Sequence, residues 1–375
     1  MKVAVFESIV TPAGHEHDFD KMLVAELLQG GHQVEFFVPE NYPFKVNYGV
    51  PVRALPGEAV SYAGASGLGK LLLAGKREWR RLKWFDALYE AAKAGSVDAI
   101  IIPTATYRFL RTIRRSRLKA SPKPVIPILH GINDRESGRF FRQVEALAPC
   151  RQIRPAVITL GERLFDRSLP SVRCVKPPVF PMDATFAGLA TNPVLTLGFF
   201  GQYRREKNLE GFLDVFGRCR FSEPVKLFVQ GATVLPGDAA DFERIRLKYA
   251  RAENIEFLHK ALIGEEWQRA IASVDALIMP YAAERYRYHW SAMLFTAIGS
   301  RKPVIIAESI NPEVLAEYHV GLPFRPGRED ELQRVLETFV NTYGQQKERY
   351  QAELDRANAD FAPSRFVAEI AALMA

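Results

Sequence analysis

The sequence predicts an α/β protein made of two doubly wound domains in tandem, each a parallel sheet with helices on both faces. Short apolar runs alternate along the chain with segments of helical period, the pattern of buried parallel strands and their crossover helices. A stretch rich in proline and small residues divides these runs into two series. The 375 residues, 48% hydrophobic and 25% charged, suffice for two cores.

In the first series Lys2–Glu7 reads as a strand, and Asp18–Gln29 as a helix with Phe19, Met22, Leu23, Ala25, Leu27 and Leu28 on a helical period. Gly30-Gly31 ends that helix and His32–Val38 forms the next strand, with His32 packing between the two. Strand, loop, helix, strand is a Rossmann-like opening. Its loop, SIVTPAGHEHD, lacks the G-x-G-x-x-G fingerprint, so a tightly held dinucleotide is not expected there. Val97–Ile102, Val125–Leu129 and Ala156–Leu160 are further buried strands.

The stretch PPVFPMDATFAGLATNP, Pro177 to Pro193, reads as the interdomain linker. The second series follows: strands at Leu195–Phe200, Val225–Gln230, Ile255–Leu258, Ala276–Met279 and Val304–Ala307, and helices over Asn208–Phe216, Glu265–Ser273, from about Ser291, and over Glu329–Tyr343. The expected division is 1–180, a linker at 181–193, 194–355, and a C-terminal helix at 356–375 crossing back to the first domain.

The N-terminal MKVAVFESIV has the alternation of a first strand and no cleavage-site pattern, and no run is long enough to span a bilayer, so a cytoplasmic location is expected. Cys150, Cys174 and Cys219 lack metal-site spacing and read as structural thiols. Charge is divided unevenly: residues 1–180 hold 27 of the 50 Lys and Arg but only 17 of the 43 Asp and Glu. The excess gathers in KLLLAGKREWRRLKWF, with Lys76, Arg77, Trp79, Arg80, Arg81 and Trp84, and in RFLRTIRRSRLKASPK, with Arg111, Arg114 and Arg115. Such a composition suits either a helix lying on an anionic bilayer or a basic helix packed on its own domain through Leu71, Leu72 and Trp79. No nucleic-acid-binding pattern accompanies the charge, so a nucleic-acid partner is not expected.

The segments FFGQYRREKNLEGFLDVF, LFVQG and VDALIMPY, and a Lys302-Pro303-Val304 strand start after an alanine- and glycine-bearing helix, resemble the GT-B glycosyltransferases, particularly the large family-four kind. GHEHDFDKMLVAELLQGGHQV and His130-Gly131 carry the likeness in the first half. The resemblance implies two Rossmann-like domains facing a cleft, a nucleotide-sugar donor held by the second, and no metal or other cofactor. In the turn after the second domain's first strand, Lys207 falls on the family's lysine; Gln202 stands at its arginine, with Arg204 and Arg205 nearby. A cation beside helix N–H groups is what a diphosphate requires.

The family's paired glutamates are absent: their positions are Tyr288 and Thr296. Arg287, and Ser291 with the N–H groups of Ala292 and Met293, stand there as diphosphate ligands, and Ser291 is also a plain helix cap. Glu284 either bonds sugar hydroxyls or pairs with a neighbouring arginine. Gly231, within Gln230–Thr233, and the Phe257–Leu262 turn are expected to line the nucleotide pocket.

On the acceptor side His15, Glu16 and His17 are candidate bases, with Asp18 or Asp20 as orienting groups, while a histidine matching His130 would lie beside the donor sugar. Inversion and retention are both left open. The resemblance further implies a glycan acceptor on a lipid carrier and a first domain docked on the inner face of the cytoplasmic membrane. A nucleotide-sugar epimerase and a non-catalytic phosphate-binding scaffold are the rival readings.

Overall fold

The computed structural model describes residues 1–9, 15–43, 47–60, 67–161, 169–186, 192–281 and 289–375, together with the backbone but not the side chain of Lys70. The chain forms two compact units. One runs to Pro177 and takes back Pro363–Ala375; the other is Pro178–Ala362, with which His15 also groups.

The first unit holds β1 (Lys2–Phe6), α1 (Glu16–Gln29), β2 (Gln33–Pro39), β3 (Val52–Leu55), α2 (Gly67–Lys93), β4 (Ala99–Ala105), α3 (Tyr107–Arg115), β5 (Val125–Leu129), α4 (Asp134–Leu147), β6 (Ala156–Ile158) and β7 (Arg173–Val175). The strands are parallel in the order β3-β2-β1-β4-β5-β6-β7, with Val3 opposite both Val34 and Ala99. β1 and β4 are covered on both faces, in keeping with the apolar VAVF and AIII that they carry. One face is a core of Phe6, Trp84, Phe85, Leu88, Leu110 and Ile113.

The second unit holds β8 (Leu195–Phe199), α5 (Leu209–Phe216), β9 (Val225–Gln230), α6 (Pro236–Lys248), β10 (Ile255–Leu258), α7 (Glu265–Ala272), β11 (Ala276–Met279), α8 (Ala292–Gly299), β12 (Val304–Ala307), α9 (Pro312–Glu317), β13 (Gly321–Phe324) and α10 (Glu329–Asp360). Its sheet is also parallel, β10-β9-β8-β11-β12-β13. Both units are doubly wound, and each sheet reverses its strand order beside its first strand, where the carboxyl ends of such sheets form a crevice.

Two expectations about the C-terminal segment change. The helix expected to stop at Tyr343 continues to Asp360, because Tyr350, Leu354 and Ala357 keep burying the same face. The returning element is α11 (Pro363–Ala372), started by a proline at its first position; Phe366 packs against Phe19 at 5.6 Å and Arg154 donates to the Leu373 carbonyl at 2.8 Å.

Candidate functional site

At the reversal of the second sheet the chain leaves β8 through Gly201, whose φ of +100° favours glycine. A Cβ there would stand 3.4 Å from Lys207 Nζ and 4.0 Å from Met293 Sδ. The bare Cα thus sits between the Lys207 ammonium and the side chain of Met293, the second residue of α8. The loop is pinned by four bonds: Gly201 N–H donates to Gln230 Oε1 (2.9 Å), Gln230 Nε2 donates to the Lys260 carbonyl, Ala232 N–H donates to the Gly201 carbonyl, and Tyr203 N–H donates to the Ala232 carbonyl.

Lys207 is only 7% exposed. Its Nζ donates to the Phe200 carbonyl at 3.1 Å and lies over the rings of Phe199 (5.5 Å) and Tyr281 (5.1 Å). Ring faces stabilise a cation without neutralising it. Opposite, Ser291 caps α8 by accepting from Leu294 N–H at 3.3 Å, while its own N–H donates to Asn311 Oδ1 at 2.8 Å. Asn311 Nδ2 donates to the His289 carbonyl, so the approach to the helix is fixed by a buried bracket. The N–H groups of Ala292 and Met293 have no acceptor within the helix and carry the positive end of its dipole. Ammonium and helix start converge on one glycine, an arrangement suited to a compact oxyanion.

The crevice of the first unit is acidic. Glu7, directly after β1, is 1% exposed; its Oε1 accepts from Ser8 and Ile9 N–H, and its Oε2 has no hydrogen-bond partner among the described residues. Burial, with a smaller push from Glu16, raises its carboxyl to about 8. Burial also raises Asp20, on α1, well above the carboxylate range, reinforced by Glu7 and Glu16 and offset in part by the Tyr42 hydroxyl. Asp18 is raised to about 6, again chiefly by burial. Nearby, His17 Nδ1 and the Tyr48 hydroxyl are 3.1 Å apart.

No family model matches the chain, and no curated protein matches it in sequence. Solved structures do. HepE of Anabaena, in complex with UDP and glucose, aligns over 99% of this chain and 98% of its own with a TM-score of 0.68 at 16% identity. The sucrose-phosphate synthase of Thermosynechococcus elongatus aligns over 100% and 98% with a TM-score of 0.69 at 14% identity. The lipopolysaccharide outer core galactosyltransferase WaaB aligns over 100% and 99% with a TM-score of 0.63 at 15% identity. The fold is GT-B.

Within that GT-B fold the structure brings together Gly201, Lys207, Ser291, Ala292 and Met293. It gives Arg204 and Arg205 other partners: Arg204 meets Gln202 (3.0 Å) and Glu206 (3.7 Å), and the largely exposed Arg205 pairs with Asp241 at 3.7 Å. Both arginines of this cationic run thus have acidic partners within the protein, Glu206 and Asp241. Gly231 is required by packing, since a Cβ would fall 2.4 Å from the Phe242 ring. The Thr296 hydroxyl donates back to the Ala292 carbonyl at 2.8 Å. Glu284, Arg287 and Tyr288 lie outside the described residues.

Of the acceptor-side candidates, His15 stands edge-on to Trp290 at 5.5 Å, next to the α8 cap, and Glu16 opens α1. His17 is buried beneath Tyr48, which withdraws it from solution chemistry. His130 Nε2 lies 2.8 Å from the Pro103 carbonyl, and since a carbonyl only accepts, the hydrogen is on Nε2 and Nδ1 is the basic nitrogen.

The expected membrane set divides. Arg81 is buried, its guanidinium 4.1 Å over Phe109 and bonded to Glu78; Trp84 is buried and donates to the Pro56 carbonyl; Arg111 is held by Glu78 at 3.1 Å. These three tie α2 to its own unit. Trp79 and Lys76 are exposed, as is Arg115, with Arg77, Arg80 and Arg114 half-buried.

Two residues of consequence were invisible as site residues in the sequence: Asn311, which acts on a cap twenty positions earlier, and Glu7, which read only as a strand end; Asp20 was named as an orienting group, but its complete burial is tertiary and gave no signal. Gln230 was named only as the edge of a pocket, though it is the strut of the Gly201 loop.

Proposed function

We propose that the chain is a glycosyltransferase that moves a sugar from a nucleotide-sugar donor to a glycan acceptor. One observation carries this reading: Lys207 and the start of α8 converge on Gly201. When the sugar–phosphate bond breaks, negative charge grows on the leaving diphosphate, and a fixed ammonium and fixed N–H dipoles stabilise that charge without reorganising. The positive charge is assigned to these groups rather than to a divalent ion. HepE has been solved with UDP-glucose, in keeping with a hexosyl nucleotide donor.

On the acceptor side the reading is a lipid-linked glycan in cell-surface polysaccharide synthesis, at the inner face of the cytoplasmic membrane. The basic excess of residues 1–180 supports it, as does likeness to WaaB and to WaaG, a glycosyltransferase of lipopolysaccharide biosynthesis. Among the described residues no helix is long and apolar enough to cross a membrane, so attachment would be peripheral.

A thermal-shift panel of nucleoside diphosphates and nucleotide sugars tests the donor site. A ligand at a hundred times its Kd should stabilise the chain by about 2.7 kcal/mol, and Lys207→Met should remove the shift while retaining the unliganded melting profile. A shift that survives the substitution refutes the site. Sugar isomerised without any acceptor, or nucleotide bound and never turned over, refutes the reaction.

A further inference from the structure

Helix α9 runs from the bracket at the start of α8 to a cavity that glycosyl transfer does not use. Asn311, immediately before α9, accepts from Ser291 N–H. The other end of α9 leads through Tyr318 and His319 to the amino end of β13. The strands of this sheet are parallel, so that edge is opposite the one from which Gly201 and Lys207 extend. There Leu315, Glu317, Tyr318 and His319 face Arg349 and Glu353 of α10 across a cavity of about 370 Å³. Sites for small molecules span roughly 300–1,000 Å³, so this one has room for a small metabolite.

Its polar groups are unequally engaged. Glu353 accepts from Arg356 at 2.7 Å and from His319 N–H at 3.0 Å. Arg356 also donates to the Glu317 carbonyl at 2.6 Å and lies 4.3 Å over the Tyr318 ring, clamping the end of α9 to α10. Arg349 is exposed and has no hydrogen-bond or ion-pair partner among the described residues. The His319 ring, stacked on Tyr350 at 5.3 Å, has no hydrogen-bond partner among them either. Burial and the Arg349 charge lower the His319 pKa against an opposing pull from Glu353, so guanidinium and imidazole are neighbours. A guanidinium fork beside an imidazole N–H is a donor set for one oxyanion. The exposed Glu317 carboxylate accepts from hydroxyls and repels a second anion.

We propose that this cavity binds a small hydroxylated metabolite bearing one oxyanion, a phosphate monoester or a carboxylate, and that its occupancy regulates the donor site through α8. Both ends of α8 are held by the elements that line the cavity. Its start is bracketed by Asn311 ahead of α9; at its finish Asn358 of α10 donates to the Ile298 and Gly299 carbonyls at 3.3 and 3.4 Å. A ligand bridging His319 and Arg349 fixes α9 against α10, and with them the helix start assigned to the diphosphate. Ordering that the first ligand has already imposed is not imposed again by the second, so the coupling is positive. This regulation rests on the donor reading given above; binding in the cavity does not.

Titration calorimetry of the full chain with glycerol phosphate and with glycerate, at constant ionic strength, tests the cavity and tells phosphate from carboxylate. Saturable binding of at least one probe is expected. Arg349→Ala should weaken it at least about tenfold, and His319→Phe, which keeps the stack on Tyr350 but removes the ring N–H, should weaken it too. Arg334→Ala, at another exposed arginine of α10, should leave it unchanged. So should Lys207→Met, which separates this cavity from the diphosphate site. The bound probe should slow hydrogen exchange in the first turn of α8. It should also tighten nucleotide-sugar binding about fivefold or more, and the nucleotide sugar should tighten the probe by the same factor.

No saturable binding of either probe, binding undiminished in Arg349→Ala, or binding lost in Lys207→Met overturns the site. Binding that leaves exchange of α8 unaltered overturns its regulatory role. Probe binding and α8 exchange are both measured without nucleotide, so failure of this inference is distinguishable from failure of the donor reading.

Discussion

Replacing Glu7 by Gln should make the first unit progressively more stable than the parent as pH rises. The buried carboxyl titrates at about 8 in the folded chain, against 4.5 when solvated. Between those values the folded state keeps a proton that the unfolded state has lost, so stability is fully present below pH 4.5 and is lost as pH rises to 8; above that the dependence levels off. One pH unit in this window is worth about 1.4 kcal/mol. With rounding at both ends, roughly 3–4 kcal/mol should disappear between pH 5 and pH 8.

Glutamine cannot ionise but can still accept from Ser8 and Ile9 N–H. Its gain over the parent should therefore grow across the window by that amount. Asp20 and Asp18 move in the same direction, so a residual slope should remain in the variant. Urea unfolding at pH 5, 6, 7 and 8, with hydrogen exchange of β1 assigning the transition of this unit, gives both curves. Parallel curves would show that Glu7 ionises without penalty, and the account of this crevice would be wrong.

Other substitutions separate the parts of the second site. Gly201→Ala should weaken nucleotide-sugar binding at least tenfold by titration calorimetry, since it strains a φ of +100° and crowds the Lys207 ammonium. Arg205→Ala should leave that affinity within about twofold, because the side chain is 70% exposed and already paired with Asp241. Asn311→Ala should lower stability by about 1–3 kcal/mol in denaturant melts, because the buried Ser291 N–H loses its acceptor. It should also weaken nucleotide-sugar binding through the displaced start of α8.

What could be read in the sequence follows from which interactions are local. β5, β11 and β12 fall on the expected residues because strands buried on both faces are continuous apolar runs, and so do β9 and the half-exposed edge strand β10, although each carries a charged residue, Lys226 and Glu256. The edge strands β3 and β7, half-exposed and without such a run, gave no signal. Gly344 and the polar residues after it resemble a helix stop, but packing of Tyr350 on Phe339 at 5.7 Å carries α10 through. Lys207 and the Ser291 cap are legible because a turn and a helix start are local events. The bracket from Asn311 is not, and neither is the inward turn of Arg81 and Trp84 from a segment whose composition is uniformly basic and aromatic.

The two sheets share an order around their first strand yet end that strand in opposite charge. β1 runs into Glu7, which is backed by Asp20 and Glu16; β8 runs into Gly201 and the Lys207 ammonium. A phosphate approaching the first crevice would meet buried carboxyls that resist ionisation and would repel it once ionised. The same group approaching the second meets a cation whose ring neighbours leave its charge in place and a helix end fixed by Asn311. Glu7, Asp20, Tyr42 and Tyr48 are all buried, so the raised carboxyls belong to the interior behind this crevice. Likeness of fold gives the two units equivalent crevices; the side chains at the ends of β1 and β8 make them unlike, and it is the second that presents a cation and a helix start, as the proposed donor site requires.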